Sequence, residues 1–540
     1  MDLCLQLFLF LYLLPGIIAQ NSEDVTLIVR GSATIAETDD NFVCATLDWW
    51  PPEKCNYNQC PWGQASILNL DLNHPILAKA IQAFGPLRIR VGGSLQDQVD
   101  YGVGDLGHPC LPFTKMQGGL FGFSKGCLSM ARWDELNSLF LKTGAIVTFG
   151  LNALKGRNHV RKGVWGGSWN HSNAHDFIEY TVSKGYRVDS WEFGNELSGH
   201  GIGASVDAEQ YGKDVIALKS ILSELYKNSS SKPLLLAPGG FFEQEWYAQL
   251  LQVSGAEVVN GMTHHIYNLG GGDDPHIASK ILDPKYLSRI ADTFRNLQLT
   301  IQRHGPWSFA WVGEAGGAYN SGSRQVSNKF LNSFWYMDQL GMSSKYDTKA
   351  YCRQALIGGN YGLLDTKTFV PNPDYYSALL WHRLMGKGVL SVDISGSPYL
   401  RAYAHCRKRK AGVSVLLINL SKSTWFSVTV RNDINVNIAE GGGIHKDGNF
   451  IHGLKRSVSW VGRKILDGSA KREEYHLTGK DSNPLSQTVL LNGTPLELNR
   501  DGDIPSLHPI LVAGDSPVSV APLSIAFVVF PNFEAHVCGS

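Results

Sequence analysis

Between residues 42 and 385 the sequence repeats one pattern eight times: a short apolar or β-branched run, then a stretch with helical spacing. The runs are FVCATLDWW (42–50), LRIRVGG (87–93), AIVTFGLNAL (145–154), VDSWEFGNE (188–196), PLLLAPGG (233–240), VNGMTHHIY (259–267), FAWVGEAGG (309–317) and ALIGGNYGLLD (355–365). Stretches such as DAEQYGKDVIALKSILSELYK (207–227) and DPKYLSRIADTFRNLQLTIQR (283–303) lie between them. Strands joined through helices pair in parallel, because each crossover returns the chain to the end it left. Eight such units predict an α/β fold, a (β/α)8 TIM barrel over residues 42–385. The competing doubly wound sheet lacks its nucleotide signature, since no G-x-G-x-x-G follows the first strand.

Beyond residue 386 the helical spacing disappears. YLRAYAHC, VSVLLINL, FSVTVRN, QTVLLNG and SIAFVVF alternate in the manner of strands and are separated by turn residues. They predict a C-terminal all-β sandwich over 386–540. The early run DVTLIVRG (24–31) predicts that residues 21–41 add an N-terminal strand to that sandwich. A Gly-rich insertion, 106–127, interrupts the second βα connection, and Cys110 and Cys127 can cross-link it.

Residues 1–20 read as a secretory signal: an apolar run from Leu3 to Leu14, a Pro-Gly break, then Ile17-x-Ala19. Its loss removes Cys4 and leaves eight cysteines, an even number suited to disulfides. No C-x-x-C occurs, which disfavours structural zinc. Sequons at Asn170, Asn228, Asn419 and Asn492 become glycosylation candidates once secretion is accepted. The expected location is outside the cell, as in the cell wall, or a vacuole or lysosome reached through the secretory pathway. No second segment is long enough to span a bilayer, though peripheral membrane association stays open. Formal net charge is zero, so no global positive field gathers nucleic acid. The basic run Arg407–Lys410 reads as a solvated turn.

In a barrel of this kind chemistry sits at the C-terminal ends of the strands. Glu196 closes the fourth run and Glu314 the seventh, so both can point into one mouth. Two carboxyls there suit glycoside hydrolysis. Asn195 can hydrogen-bond a sugar hydroxyl beside the reacting carbon. His264, His265 and Tyr267 close the sixth run, next to Glu314, and one of them can donate to an anionic nucleophile. By two-residue alternation Glu192 faces inward too, but lower, as a structural acid. His264 and His265 have no third ligand at a metal spacing, so neither metal nor other cofactor is expected.

The segments LRIRVGGSLQD, WEFGNEL, MTHHIY, WVGEAGGAYNSG, RQALIGGNYGLLD and PDYYSALLWHRLMGKGVL, followed by LRAYAHC, resemble the heparanase/β-glucuronidase family of retaining glycosidases, and within it the plant heparanase-like proteins. The likeness covers nearly all of the mature chain. It implies Glu196 as acid/base, Glu314 as nucleophile and Asn195 as the residue beside the acid. It also implies Tyr361 and the loop Ala318–Gly322, with Asn320 and Ser321, around a uronate carboxylate, and Asp48 on sugar hydroxyls. His265 and Tyr267 join them as substrate-side residues, and Cys406 and Cys538 are implied as a disulfide. Animal heparanase loses a long linker, whereas 106–127 is short, so one chain is expected. Few basic clusters lie near the expected mouth, which favours exo-removal of glucuronic acid from glycans or flavonoid glucuronides. An endo-acting heparan sulfate enzyme, a related glycosidase for another sugar such as an arabinofuranosidase, and a non-catalytic glycan-binding protein are the alternatives.

Overall fold

The computed structural model describes residues 21–433 and 470–539. The expected signal, 1–20, lies outside the described residues. A strand β1, Ser22–Glu37, precedes eight parallel strands that close on themselves. These are β2 (Val43–Leu47), β3 (Arg88–Val91), β4 (Ile146–Leu151), β5 (Ser190–Phe193), β6 (Leu234–Gly240), β7 (Gly261–Ile266), β8 (Phe309–Ala315) and β9 (Thr348–Arg353). β2 follows β9 around the circle, with Cys352 opposite Cys44 in register. The two cysteines form a disulfide across that seam.

The eighth strand corrects the sequence expectation. It is Thr348–Arg353; residues 355–365 form the loop beyond it. Gly358 and Gly359 in that loop have φ of 108° and 67°, which no strand adopts. The true strand is masked by its charges. Arg353 is buried, yet Asp374 pairs with it at 2.9 Å and Trp335 and Tyr336 lie under its guanidinium.

The C-terminal region continues with β10 (Met385–Ile394), β11 (Leu400–Arg407), β12 (Val413–Asn419), β13 (Trp425–Asn432), β14 (Lys471–Gly479), β15 (Val518–Val520) and β16 (Ser524–Phe530). Its hydrogen bonding runs unbroken through β14-β16-β12-β11-β10-β1-β13-β15, within an 11-stranded sheet. The expected sandwich is therefore one sheet curled over its own core, in which Val518 and Val520 pack with Ala526 and Val528 from the far side of the path. β1 lies antiparallel to β10 and parallel to β13, so the first described strand belongs to this region, before the chain builds the barrel and returns. The helix Phe330–Lys345, buried from Phe330 to Ser344, joins the two parts: Asp338 accepts from Arg401 Nε and from the Tyr403 hydroxyl, each at 2.5 Å.

Cys55–Cys60, Cys110–Cys127 and Cys406–Cys538 are also bonded. Asn170 and Asn228 are exposed. Asn419 is not a usable glycan acceptor. It is fully buried, and its Nδ2 donates to Thr424 O and Ala521 O, each at 2.8 Å. Asn492 is half-buried, with its Nδ2 donating to Glu474 O and His508 O at 3.2 Å. Among the described residues no helix is long and apolar enough to cross a membrane.

Candidate active site

β5 stops at Phe193, and the next three residues turn sharply into the barrel mouth. Gly194 has a φ of 71° and is crowded by Leu197, Ala153 and the Tyr211 hydroxyl, each about 3 Å from where a Cβ would stand. Only glycine fits both the angle and the space. The Asn195 N–H donates to Asp97 Oδ2 at 2.8 Å, while Asp97 Oδ1 takes the Ala153 N–H at 2.7 Å. Glu196 then holds a φ of 55°, a left-handed conformation unusual for glutamate. Its N–H donates to Gly239 O at 2.7 Å and its carbonyl accepts from Ile202 N–H at 2.9 Å, so both strands and loop hold the strained residue in place.

Glu314 needs no such turn. It is the sixth residue of β8 and faces Glu196 across the mouth. One oxygen of each, together with a nitrogen of His265, lies within 4.8 Å of the others. The two acids have contrasting neighbours. Glu314 Oε2 accepts from Arg90 Nη1 at 2.8 Å, and Glu314 Oε1 accepts from the Tyr267 hydroxyl at 2.5 Å. Both of its oxygens are thus held by donors. Glu196 instead shares a proton with His265 Nδ1 at 3.0 Å. Burial pushes the Glu196 carboxyl up to about 7 against the opposing pull of Arg90. The same burial lowers His265 to about 4, so the imidazole is neutral near pH 7. Glu196, His265 and Glu314 together offer ligating atoms, but Arg90 already supplies the positive charge and both Glu314 oxygens are occupied. The arrangement suits proton transfer better than a cation.

Arg90 is the residue that sequence reasoning missed. Its side chain is 1% exposed and its three nitrogens reach Glu192 Oε2 (2.6 Å), Glu314 Oε2 (2.8 Å) and Asn195 Oδ1 (2.9 Å). The signal was present: an arginine alternating with apolar residues on a strand expected to be buried requires buried acids as partners. Glu192, read as structural, is one of those partners. With Arg90 on its Oδ1, the Asn195 Nδ2 has no protein acceptor among the described residues and is available to a substrate hydroxyl. His264 turns the other way, its ring edge against Phe294 outside the barrel strands.

The remaining expected residues line the same mouth. Asp48 follows β2; its Oδ2 accepts from Gln354 Nε2 at 2.7 Å and its Oδ1 from the Trp49 N–H at 2.6 Å. Burial, reinforced by the charge of Glu314, pushes Asp48 up to about 7. Tyr361 is enclosed by glycines: Cβ atoms on Gly316, Gly322 and Gly359 would stand 2.7–3.0 Å from its ring. Asn320, Ser321 and Gly322 have φ of 56°, 72° and 75°, a left-handed run that turns successive N–H groups the same way, and none of these three backbone N–H groups donates to a protein acceptor among the described residues. The Ser321 hydroxyl accepts from Trp62 Nε1 and donates to Asn56 Oδ1, both at 2.9 Å. Asn320 is exposed, with its Nδ2 on the Tyr57 hydroxyl at 3.0 Å.

Residues 24–341 match the description "Glycosyl hydrolase family 79, N-terminal domain". The chain belongs to glycosyl hydrolase family 79. Within reach of this family-79 chain, Heparanase-like protein 2 of Arabidopsis thaliana is 62% identical over 98% of both chains. Baicalin-beta-D-glucuronidase of Scutellaria baicalensis is 40% identical, covering 94% of this chain and 93% of its own. Among solved structures, a 4-O-alpha-L-rhamnosyl-beta-D-glucuronidase from Fusarium oxysporum superposes with a TM-score of 0.62 at 15% identity. That likeness covers 93% of this chain and 100% of the other, and shows a shared fold. The family-79 chain is thus a glycoside hydrolase by descent and a TM barrel with a C-terminal all-β region by architecture.

Proposed function

We propose that this protein is a retaining β-glucuronidase that removes terminal glucuronic acid from glycans or small glucuronides. The unequal setting of two facing carboxyls carries the reading. Glu314, fixed by Arg90 and Tyr267, attacks the anomeric carbon; Glu196 gives its proton to the departing oxygen, and a glycosyl-enzyme forms. Glu196 then takes a proton from water, which attacks the same carbon and frees Glu314. Formation of the ester removes the Glu314 charge, which lowers the affinity of Glu196 for its proton and turns it from acid to base. One oxygen of each acid within 4.8 Å of the other is closer to the carboxyl separation of about 5–5.5 Å in retaining enzymes than to the roughly 6.5–9.5 Å of inverting ones, which supports retention.

Recognition of the uronate falls to Tyr361 and the N–H groups of Asn320, Ser321 and Gly322, with Asp48 and Asn195 on ring hydroxyls. The name of the Scutellaria relative, a β-D-glucuronidase, supports that sugar. Pairing of eight cysteines into four disulfides supports an oxidising compartment, outside the cell or in a vacuole. A panel of aryl β-glucuronides, β-glucosides and α-arabinofuranosides tests the assignment, with the anomeric product read by proton NMR. Glucuronide hydrolysis with first-formed β-product is the expected result, lost by roughly 10⁴-fold or more in Glu314→Gln. Glycan binding with no hydrolysis of any member would instead make the protein a lectin-like relative.

A further inference from the structure

Two buried polar atoms beside the catalytic pair have no partner among the described residues: Glu192 Oε1 and His265 Nε2. They face one small space. A Cβ on Gly313 would stand 3.2 Å from Glu192 Oε1 and 3.5 Å from His265 Nε2, and a Cβ on Gly239 3.0 Å from Glu192 Oε1. Glycines on β6 and β8 thus keep clear a polar niche between the carboxylate and the ring, with the Thr263 side chain at its wall. Two unmatched polar groups around such a niche are the setting in which proteins hold an ordered water.

We propose that a single water bridges Glu192 Oε1 and His265 Nε2, and that Glu192 thereby selects the tautomer of His265 and keeps the proton on Glu196. The proposal rests on the acid/base reading of Glu196. Arg90 Nε donates to the other oxygen of Glu192, so Oε1 is left to accept: the water accepts from Nε2–H and donates to Glu192 Oε1. That leaves Nδ1 without a hydrogen. A bare Nδ1 can only accept, and Glu196 meets it best as a protonated acid. The other tautomer would place Nδ1–H against Glu196 and favour its anion. The charged groups acting on His265 are Glu314, Arg90 and Glu192, with Glu196 in contact and His264, itself held neutral by burial, as chain neighbour. Glu192 is then a positioning residue acting through water and His265, with no contact to substrate.

Gly313→Ala tests this without altering a charge. Gly313 has ordinary strand dihedrals, so alanine fits the backbone, and its methyl would occupy the niche. The alkaline limb of kcat/KM should move about one pH unit lower, the order of one charge-assisted hydrogen bond, with turnover below pH 6 largely kept. Glu192→Gln, which preserves shape, should move the limb the same way and serves if the alanine variant does not fold. A high-resolution crystal structure of the unaltered protein should show a water within hydrogen-bond reach of both atoms. An unmoved limb in folded variants, or no water there, overturns the relay. Glu196→Gln separates the two levels. If it retains turnover of substrates with poor leaving groups, the acid/base reading fails; if it loses that turnover while Gly313→Ala leaves the limb unmoved, only the relay fails.

Discussion

Replacing Arg90 by methionine should damage stability and turnover together, because one buried cation serves both purposes. Its guanidinium holds Glu192 at 2.6 Å and Glu314 at 2.8 Å, with side-chain exposures of 1%, 1% and 8% for the three residues. At an effective dielectric of about 20, a charge pair 4 Å apart is worth about 4 kcal/mol, and removing one member of a buried pair costs about 3–5 kcal/mol. Here one truncation strands two carboxylates within one cavity, so the upper part of that range is expected. Against a total stability of about 5–15 kcal/mol this leaves a folded but fragile protein. Urea unfolding followed by tryptophan fluorescence measures the loss. Turnover should fall by at least about 10³-fold, since Glu314 loses its fixed partner and Asn195 its anchor. Arg90→Lys restores charge without the three-pronged fork and should regain part of the stability but little rate. A methionine variant within about 1 kcal/mol of the parent that still turns over would show that Arg90 is not the organising cation.

The pH profile of kcat/KM should fall on the alkaline side with a midpoint near 7: Glu196 acts while protonated, its carboxyl is held up to about 7, and each further pH unit costs about tenfold. A limb beyond pH 9 would contradict the assignment. Tyr361→Ala should weaken hydrolysis of glucuronides by about 10–100-fold more than of matching glucosides, measured as the ratio of kcat/KM values; an equal loss would argue against carboxylate recognition. Cys44→Ser with Cys352→Ser should lower stability by about 2–4 kcal/mol in the same urea assay, since the bond closes a loop of 308 residues and the strands stay paired without it.

Much of this was legible from spacing alone. A parallel barrel needs only the alternation of strand and helix, and seven of the eight runs contain the strands observed, because apolar runs of that length between helices have few other uses. The eighth was misplaced because TKAYCR carries Lys349 and Arg353; the first pairs with Asp347 two residues back, but the buried Arg353 is compensated by Asp374, 21 residues on, which is invisible locally. Arg90 escaped notice for the same reason: its meaning lies in Glu192, Asn195 and Glu314, which only the closed barrel brings together. The strand ends that carry Glu196 and Glu314 were easier, since a carboxylate at the mouth interrupts an otherwise apolar pattern. Asn419 satisfies a sequence motif, yet its amide is committed to the backbone of a neighbouring turn, and motif matching has no access to burial.

The bond between Cys44 and Cys352 turns most of the barrel into a covalent ring. A protease that nicks any loop between those two positions, including the exposed 106–127 insertion, opens the ring without releasing a piece. The nicked molecule would still run as one band on a denaturing gel and separate into two only after reduction. Cleavage within this barrel therefore yields a two-chain protein that keeps its halves together by chemistry as well as by packing.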